Sequence, residues 1–308
     1  KTSMKHIFGH KNPDTDSICS AIAYADFLNK QNIDAKAFAL GSLNKETQFV
    51  LEYFGIEAPE QIDKLPAGTE VILVDHNEEK QSIDKIKDLD IVEIIDHHNL
   101  KIETNKPISV LFKPVGSTCT IIAEEKYFKN NVELTKPIAG ILLSALISDT
   151  LFFHSPTTTD IDKVVAEKLS KIAEVENLEE FSLKLFNAKS DLGDISVEEL
   201  IKLDYKTYDF KDGTYSIGVM ETTNAKFGLD KKEDILIKLK ELKESEDLSG
   251  IFFTIIDILN EESYTFTSGD TEDALFTKLF SAVEKNNALY VDKLISRKKQ
   301  IVPVFEKM

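Results

Sequence analysis

Short apolar runs alternate with helix-like stretches through the first half of this 308-residue chain. Two of the runs, Val71–Val74 and Ile91–Ile95, are almost continuously apolar, which is typical of strands covered on both faces of a sheet. Strands that alternate with helices predict βαβ units and a doubly wound, mostly parallel sheet. The predicted strands are Lys5–Phe8, Ala35–Leu40, Glu70–Val74, Ile91–Ile95 and Ser109–Phe112. The predicted helices are Ser17–Asn29, Asn44–Phe54, Ser82–Leu89, Ser117–Lys129, Ile138–Ile147 and Thr159–Ala173.

A polar stretch near residue 190 predicts a boundary between two domains. We expect a catalytic domain at residues 1–188, a hinge linker at 189–194 and a smaller α/β domain at 195–308, because a chain of this length comfortably forms two domains. Gly193 is suited to absorb a backbone rotation at the hinge. In the second domain, the predicted strands are Lys206–Phe210, Tyr215–Glu221, Ile251–Leu259 and Tyr264–Thr267, and the predicted helices are Lys231–Glu244 and Thr271–Val283.

The composition argues against several classes of protein. The formal net charge is −17, whereas a nucleic-acid-binding surface is normally basic. No apolar run reaches the roughly 18 residues of a membrane helix, and the first residues do not resemble a signal peptide. The two cysteines, Cys19 and Cys119, lie in apolar contexts without metal-binding spacing, which indicates a reducing cytoplasm. We therefore expect a cytoplasmic protein that has neither nucleic-acid nor membrane partners.

Acidic and histidine residues follow several of the predicted apolar elements. Three strands are each followed by such residues, and the buried helix Ile138–Ile147 is followed by another. Because the carboxyl ends of parallel strands share one edge of a sheet, we expect these side chains to meet there. The residues predicted at this edge are His10, Asp14, Asp16, Asp75, His97, His98 and Asp149.

Each of these motifs also has an ordinary structural explanation. A single Asp-x-Asp segment usually caps a helix, and both Asp16 and Ser17 are good N-cap candidates. The segment Ser148-Asp149-Thr150 alone is typical of a helix C-terminal turn. We expect His76 to face the same edge, with its role left open. The joint occurrence of these motifs at the ends of strands and of a helix favours a shared site.

Carboxylates gathered this closely repel one another unless a cation neutralises them. A mixed set of oxygen and nitrogen ligands without thiolate suits Mn²⁺, Co²⁺ or Zn²⁺, whereas Mg²⁺ prefers oxygen alone. Paired ions about 3.5–4 Å apart activate a bridging water for in-line attack on phosphorus. The sequence therefore predicts a two-metal site for phosphate chemistry.

The second domain supplies positive charge near its two ends. Lys206 lies near its start, and the segment Ser296–Gln300 contains three consecutive basic residues. Such a segment alone is usually a solvated surface. In a strongly acidic chain with a two-metal site, it favours a phosphate clamp, since arginine and lysine bind phosphate oxygens well.

Together these motifs resemble those of the DHH phosphoesterase superfamily. The motifs that carry the resemblance are His10-x-x-x-Asp14-x-Asp16, Asp75-His76-Asn77, Asp96-His97-His98 and Ser148-Asp149-Thr150. Within the superfamily, Asp204-x-Lys206 and Ser296-Arg297-Lys298-Lys299-Gln300 are similar to motifs of the manganese-dependent family II inorganic pyrophosphatases. The Gly-Gly-Gly-His motif of the nuclease and oligonucleotide-cleaving relatives does not occur in the sequence.

The resemblance implies hydrolysis of pyrophosphate with two Mn²⁺ ions, for which Co²⁺ can substitute, and Mg²⁺ that arrives with the substrate. It further implies a C-terminal domain that closes over the N-terminal one, and a homodimer. The implied ligands are His10 and Asp14 for one ion and Asp16, His97 and Asp149 for the other, with Asp75 bridging them. The implied substrate-binding residues are His98, Lys206, Arg297 and Lys298.

Two other functions stay open on the sequence alone. Another DHH phosphoesterase would cleave polyphosphate or short oligonucleotides. A metal-dependent phosphate-binding or regulatory module would have lost catalysis, although the intact set of ligands disfavours it.

Overall fold

The computed structural model describes residues 3–308. It consists of two compact units, whose boundary in sequence lies between Ala188 and Lys189. Each unit contains one six-stranded sheet, and the predicted α/β fold class is confirmed. In the described part of the chain, no helix combines the length and the apolar character that crossing a membrane requires.

The N-terminal unit is built on a parallel sheet. Its strands are β1 Lys5–Phe8, β2 Ala35–Ala39, β3 Glu60–Gln61, β4 Glu70–Val74, β5 Asp90–Asp96 and β6 Ser109–Phe112. They lie in the order β3-β2-β1-β4-β5-β6, and every neighbouring pair is parallel. The direction in which the chain adds strands reverses between β1 and β4. In such sheets, ligands bind beyond the carboxyl ends of the strands at this reversal.

The longer helices of this unit begin at side chains that cap them. In the described residues, the helices are α1 Thr15–Lys30, α2 Lys45–Phe54, α3 Thr118–Ile121, α4 Lys136–Asp149, α5 Asp160–Ile172 and α6 Leu178–Ser190. A π-helical segment, Ile122–Phe128, continues α3. Helix α4 is buried from Ile138 through Ser148 and packs against α1. It is apolar on all sides, as expected of a helix enclosed by its neighbours.

Two predictions for the N-terminal unit require correction. The predicted helix Ser82–Leu89 is wrong, because the structure has two separate 3-10 helices, Glu79–Gln81 and Ile86–Asp88. Lys85, between them, has a left-handed backbone with φ 59° that interrupts a helix. Helix α6 was not predicted, and it extends to Ser190, so residues 189–190 of the predicted linker are helical.

The C-terminal unit contains a mixed sheet. Its strands are β7 Tyr205–Phe210, β8 Gly213–Thr222, β9 Gly250–Asp257, β10 Glu262–Thr267, β11 Val283–Lys285 and β12 Ala288–Asp292. They lie in the order β11-β12-β10-β9-β8-β7, and only the β8–β9 pair is parallel among the strands described. The helices described here are α7 Val197–Ile201, α8 Ala225–Leu229, α9 Lys232–Ser245, α10 Asp270–Phe280 and α11 Val302–Glu306.

One predicted helix in this unit is too long. The prediction Thr271–Val283 fails at its end, because Ser281 adopts a left-handed conformation with φ 53° and Val283 begins β11. Strands β11 and β12 were not predicted. The core of the unit includes Leu239 of α9 and Phe253 of β9, both fully buried.

Candidate metal centre

The segment between β1 and α1 places His10 and Asp14 beyond the end of β1, and Asp16 lies in the first turn of α1. Asp14, rather than Asp16 or Ser17, is the N-cap of α1, since its Oδ1 accepts a hydrogen bond from the Ser17 amide at 2.8 Å. Asp16 is buried, and its carboxylate accepts hydrogen bonds from residues 117–119 instead of capping α1. The donors to that carboxylate are the Ser117 hydroxyl at 2.7 Å and the amides of Thr118 and Cys119 at 2.8 and 3.0 Å.

Gly9 lets β1 approach α1 closely at the start of this segment. A Cβ atom added to Gly9 would lie 2.8 Å from Ser17 Cα. Gly9→Ala is therefore expected to lower the free energy of unfolding by about 1–3 kcal/mol, because the backbone must shift to relieve the overlap. Denaturant titration measures the change. Gly269→Ala is the control, since nothing lies within 4 Å of its added Cβ. Equal stability of the two variants would contradict this role of Gly9.

Asp75 lies at the centre of the cluster, directly after β4. Its side chain is 1% exposed, and its backbone is left-handed with φ 61°, a conformation that aspartate tolerates better than most residues. Asp75 Oδ2 lies 3.4 Å from His10 Nε2, and Asp75 Oδ1 lies 3.1 Å from His97 Nε2. One carboxylate therefore faces two imidazoles with a different oxygen toward each.

Backbone carbonyls orient both of these imidazoles. His10 Nδ1 lies 2.7 Å from the carbonyl oxygen of Lys11, and His97 Nδ1 lies 2.8 Å from that of Val115. Since a carbonyl can only accept, each Nδ1 carries the proton and donates it. The lone pair of each neutral imidazole is then on Nε2, the atom that faces Asp75, as in histidine ligands of metal ions.

In the described residues, three groups of candidate ligand atoms contain Asp75, and one of them is Asp75, Asp96, His97 and His98. The other two consist only of residues predicted to bind metal. Within each group, the candidate ligand atoms lie within 4.8 Å of one another. Of these two, one is His10, Asp14 and Asp75, and the other is Asp16, Asp75, His97 and Asp149. The structure thus brings together all six residues predicted to bind metal, with Asp75 common to both groups. Four carboxylates and two imidazoles are a donor set that suits Mn²⁺.

The electrostatics of the cluster also fit cations. Burial, reinforced by the carboxylates of Asp75 and Asp149, raises the pKa of Asp16 well above its usual range. Burial acts to raise the pKa of Asp75 as well, but hydrogen bonds from His10 and His97 hold it well below its usual range. Nε2 donates these bonds only when the imidazole is protonated on both nitrogens, whereas the neutral form leaves its lone pair for a cation. Carboxylates this close to one another repel strongly, which adds to the rise in the pKa of Asp16. Divalent ions would relieve that repulsion.

Asp96 orients His98, although it was not among the residues predicted to act in the site. Asp96 ends β5 and is fully buried, and its Oδ1 lies 2.7 Å from His98 Nδ1. The side-chain amide of Asn77 donates to its other oxygen at 2.8 Å. The side chain of His98 is 24% exposed. In the sequence, only its place in the Asp96-His97-His98 motif indicated that Asp96 acts at the site.

His76 is buried instead of facing the sheet edge as predicted. Its Nδ1 lies 2.8 Å from the Val74 carbonyl oxygen, and its Nε2 lies 2.9 Å from the Ser82 hydroxyl. Burial lowers the pKa of His76 to about 4. His76 therefore joins the end of β4 to the loop that follows it.

The basic residues of the predicted clamp lie in the C-terminal unit. Lys206 is in β7, opposite Ile217 of β8. Arg297 is 9% exposed, and its Nη1 donates to the carbonyl oxygens of Asp204 at 2.8 Å and Ile217 at 2.9 Å. Its Nη2 donates to Asp204 Oδ1 at 2.6 Å. Arg297 thus holds the start of β7, the strand that carries Lys206. Lys298, the next residue after Arg297, is half-buried.

Comparisons with known proteins cover almost the entire chain. Residues 6–146 match the model of the DHH family, N-terminal domain, and residues 183–308 match that of the DHHA2 domain. A crystal structure from Methanococcus jannaschii, assigned to the family II inorganic pyrophosphatases, is similar with a TM-score of 0.90 and 44% identity, over 99% of each chain.

Curated relatives agree over nearly their full length. The manganese-dependent inorganic pyrophosphatase of Methanocaldococcus jannaschii is 44% identical over 99% of both chains. The protein of the same name from Bacillus subtilis is 41% identical over 97% of this chain and 96% of its own. Sequence identities of 41% and 44% over nearly the full length indicate membership of the same family and not merely a shared fold. The chain therefore belongs to the manganese-dependent, family II inorganic pyrophosphatases of the DHH superfamily.

Proposed function

We propose that this protein hydrolyses inorganic pyrophosphate to two orthophosphates at the cluster centred on Asp75. The observation that carries the proposal is the Asp75 carboxylate, which turns one oxygen toward His10 and the other toward His97. A carboxylate shared in this way is suited to bridge two ions. Relatives with 40–44% identity over nearly the full chain are named manganese-dependent inorganic pyrophosphatases, which supports this substrate.

The two groups of donor atoms support the ligand sets that the family resemblance implies. His10 and Asp14 would hold one Mn²⁺ ion, Asp16, His97 and Asp149 the other, and Asp75 both. When bound, the ions would lower the pKa of a coordinated water and neutralise phosphate oxygens. Asp75 holds the centre of the site, and the backbone carbonyls at Lys11 and Val115 keep both imidazoles in the tautomer that can bind a cation.

The basic residues would bind the substrate. Lys206, Arg297, Lys298 and His98 are proposed to hold the phosphate oxygens, together with Mg²⁺ that arrives with pyrophosphate. Water would attack one phosphorus in line and lose a proton as its P–O bond forms. The bridging P–O bond then breaks, and the leaving phosphate takes up a proton. Donors placed where negative charge develops stabilise such a transition state.

Movement of the C-terminal domain would control access of water to the site. We propose that the hinge lies in the predicted linker at residues 189–194, between domains at 1–188 and 195–308. Residues 191–194 would supply the movement, since residues 189–190 are the end of α6. Gly193 has a left-handed backbone with φ 54°, a conformation in which glycine is unstrained. Closure would shield the reaction, and opening would release phosphate.

The protein is also proposed to act in the cytoplasm as a homodimer, as the family resemblance implies. Among the strands described, β6 pairs with β5 alone, and Val110 of β6 is 51% exposed. An exposed edge strand is a ready surface for pairing with a second copy. Sedimentation velocity of the purified protein would measure the mass.

Substrate selectivity tests the proposed function. Purified protein with Mn²⁺ and Mg²⁺ would be given pyrophosphate, tripolyphosphate or a dinucleotide, and the products would be quantified. Selective turnover of pyrophosphate is expected. Preference for tripolyphosphate or the dinucleotide would indicate a different DHH phosphoesterase, and the absence of turnover would indicate a module that binds phosphate without catalysis.

The identity of the metal gives a separate prediction. Chelator-treated protein is expected to regain pyrophosphate hydrolysis with Mn²⁺ or Co²⁺, and to regain far less with Mg²⁺ alone, because imidazole binds transition ions better than Mg²⁺. Phosphate release after each addition measures the recovery. Equal recovery with Mg²⁺ alone would contradict the assignment of His10 and His97 as ligands.

A further inference from the structure

A fully buried carboxyl group is hydrogen-bonded to neighbours of the candidate ligands but belongs to none of their groups. Glu46, in the first turn of α2, is 0% exposed. Its Oε1 accepts hydrogen bonds from the hydroxyls of Thr15 and Ser148, each at 2.5 Å. Burial of such a polar group is costly unless donors compensate it.

The two donors are neighbours of candidate metal ligands. Thr15 lies between Asp14 and Asp16 at the start of α1, and Ser148 directly precedes Asp149 at the end of α4. These segments are more than 130 residues apart in sequence, yet one oxygen atom of Glu46 joins them. The Thr15 hydroxyl is also 3.0 Å from that of Thr47, the next residue of α2.

Asp16 and Asp149 belong to the same group of candidate ligands but differ in their surroundings. The side chain of Asp16 is 1% exposed and accepts three hydrogen bonds from residues 117–119. The side chain of Asp149 is 27% exposed and lies at the very end of α4. The position of Asp149 relative to Asp16 therefore depends on how the end of α4 is held against the start of α1.

We infer that Glu46 is a positioning residue that joins the ends of α1 and α4 and so sets the separation of Asp16 and Asp149 for metal binding. The inference rests on the proposed function of the cluster as a two-metal site. Glu46 acts through Thr15 and Ser148 and does not itself contact an ion. Residues that orient metal ligands in this way typically change metal affinity by about 10- to 100-fold when they are removed.

Binding of Mn²⁺ to the chelator-treated, full-length protein tests the inference without measuring activity. Free Mn²⁺ is followed by electron paramagnetic resonance during a titration. For Glu46→Ala, the free Mn²⁺ concentration that half-fills the sites is expected to rise about 10- to 100-fold. Glu46→Gln, which keeps an acceptor oxygen for both hydroxyls, is expected to restore affinity to within about threefold of the wild type, since the positions of the ligands are kept.

A second pair of variants keeps the test valid if Glu46→Ala does not fold. Ser148→Ala removes one donor to Glu46 and is expected to weaken Mn²⁺ binding by about 10-fold. Ser144→Ala is the matched control, since Ser144 is buried in the same helix and donates to its own backbone at Gly140. The double variant Glu46→Ala/Ser148→Ala should bind Mn²⁺ no more weakly than Glu46→Ala. Glu46→Ala alone already removes the hydrogen bond between Ser148 and Glu46.

The possible outcomes separate this inference from the proposed function. Wild-type protein that binds no Mn²⁺ would count against the two-metal site itself. If the wild type binds Mn²⁺ and Ser148→Ala binds it equally well, the positioning role is wrong while the proposed function stands. Glu46→Gln with affinity as low as Glu46→Ala would also overturn the role, because charge rather than position would then be decisive.

Discussion

Replacement of Asp75 by asparagine is expected to lower pyrophosphate turnover by on the order of 10³-fold. The two oxygens of Asp75 face the His10 and His97 groups separately. An asparagine presents one oxygen and one NH₂ group, and the NH₂ group cannot bind a cation. Steady-state phosphate release at saturating Mn²⁺ and Mg²⁺ measures the loss.

The control for this variant removes a carboxylate outside the cluster. Asp84 is 75% exposed and pairs with Lys11 at 2.6 Å, so Asp84→Asn should keep nearly normal turnover. Near-normal turnover of Asp75→Asn would contradict a bridging carboxylate and therefore the two-metal assignment.

Replacement of Arg297 by alanine should produce a loss of a different kind. Turnover is expected to fall by about 10²- to 10³-fold, because a donor to the phosphate oxygens is lost. The structure adds a second effect, since Arg297 donates to Asp204 and to the Ile217 carbonyl. Partners left without a donor should lower the free energy of unfolding by about 1–3 kcal/mol. Both effects should leave the number of bound Mn²⁺ ions unchanged.

Lys299→Ala is the matched control for Arg297→Ala. Lys299 belongs to the same basic segment but is exposed and has no proposed contact with substrate. It should keep normal turnover and stability. Phosphate release, denaturant titration and Mn²⁺ counting on both variants complete the test. Loss of Mn²⁺ from Arg297→Ala would contradict the proposal that Arg297 binds the substrate and not the metal ions.

The sequence predicted the elements that have strong apolar patterns. Strands β4 and β5 and helix α4 were found because their runs are nearly continuous. Strand β11 was missed because its three residues, Val283–Lys285, are all exposed and carry no apolar alternation. Helix Ser82–Leu89 was predicted wrongly because the left-handed backbone at Lys85 leaves no mark in the hydrophobic pattern.

The candidate ligands were predictable for a topological reason. Residues that follow neighbouring parallel strands must meet at one edge, so the strand assignments alone bring Asp75 and His97 together. The residues that support them gave no such signal. Ser117 donates to Asp16 from 101 positions away, and Glu46 reaches Ser148 across 102 positions. Such contacts depend on how helices pack, which local patterns do not determine.

The order of the strands has a consequence for the choice of metal. His10, Asp75 and His97 follow β1, β4 and β5, which are consecutive neighbours in the sheet. Hydrogen-bonded strands keep a spacing of about 4.8 Å, only slightly larger than the roughly 3.5–4 Å between paired catalytic ions. If the cluster holds two ions as proposed, the sheet fixes the spacing of the strand ends that carry their candidate ligands. Exchange of one ion for another of different radius would then be absorbed by side-chain rotation, since the strands cannot move apart without breaking their hydrogen bonds.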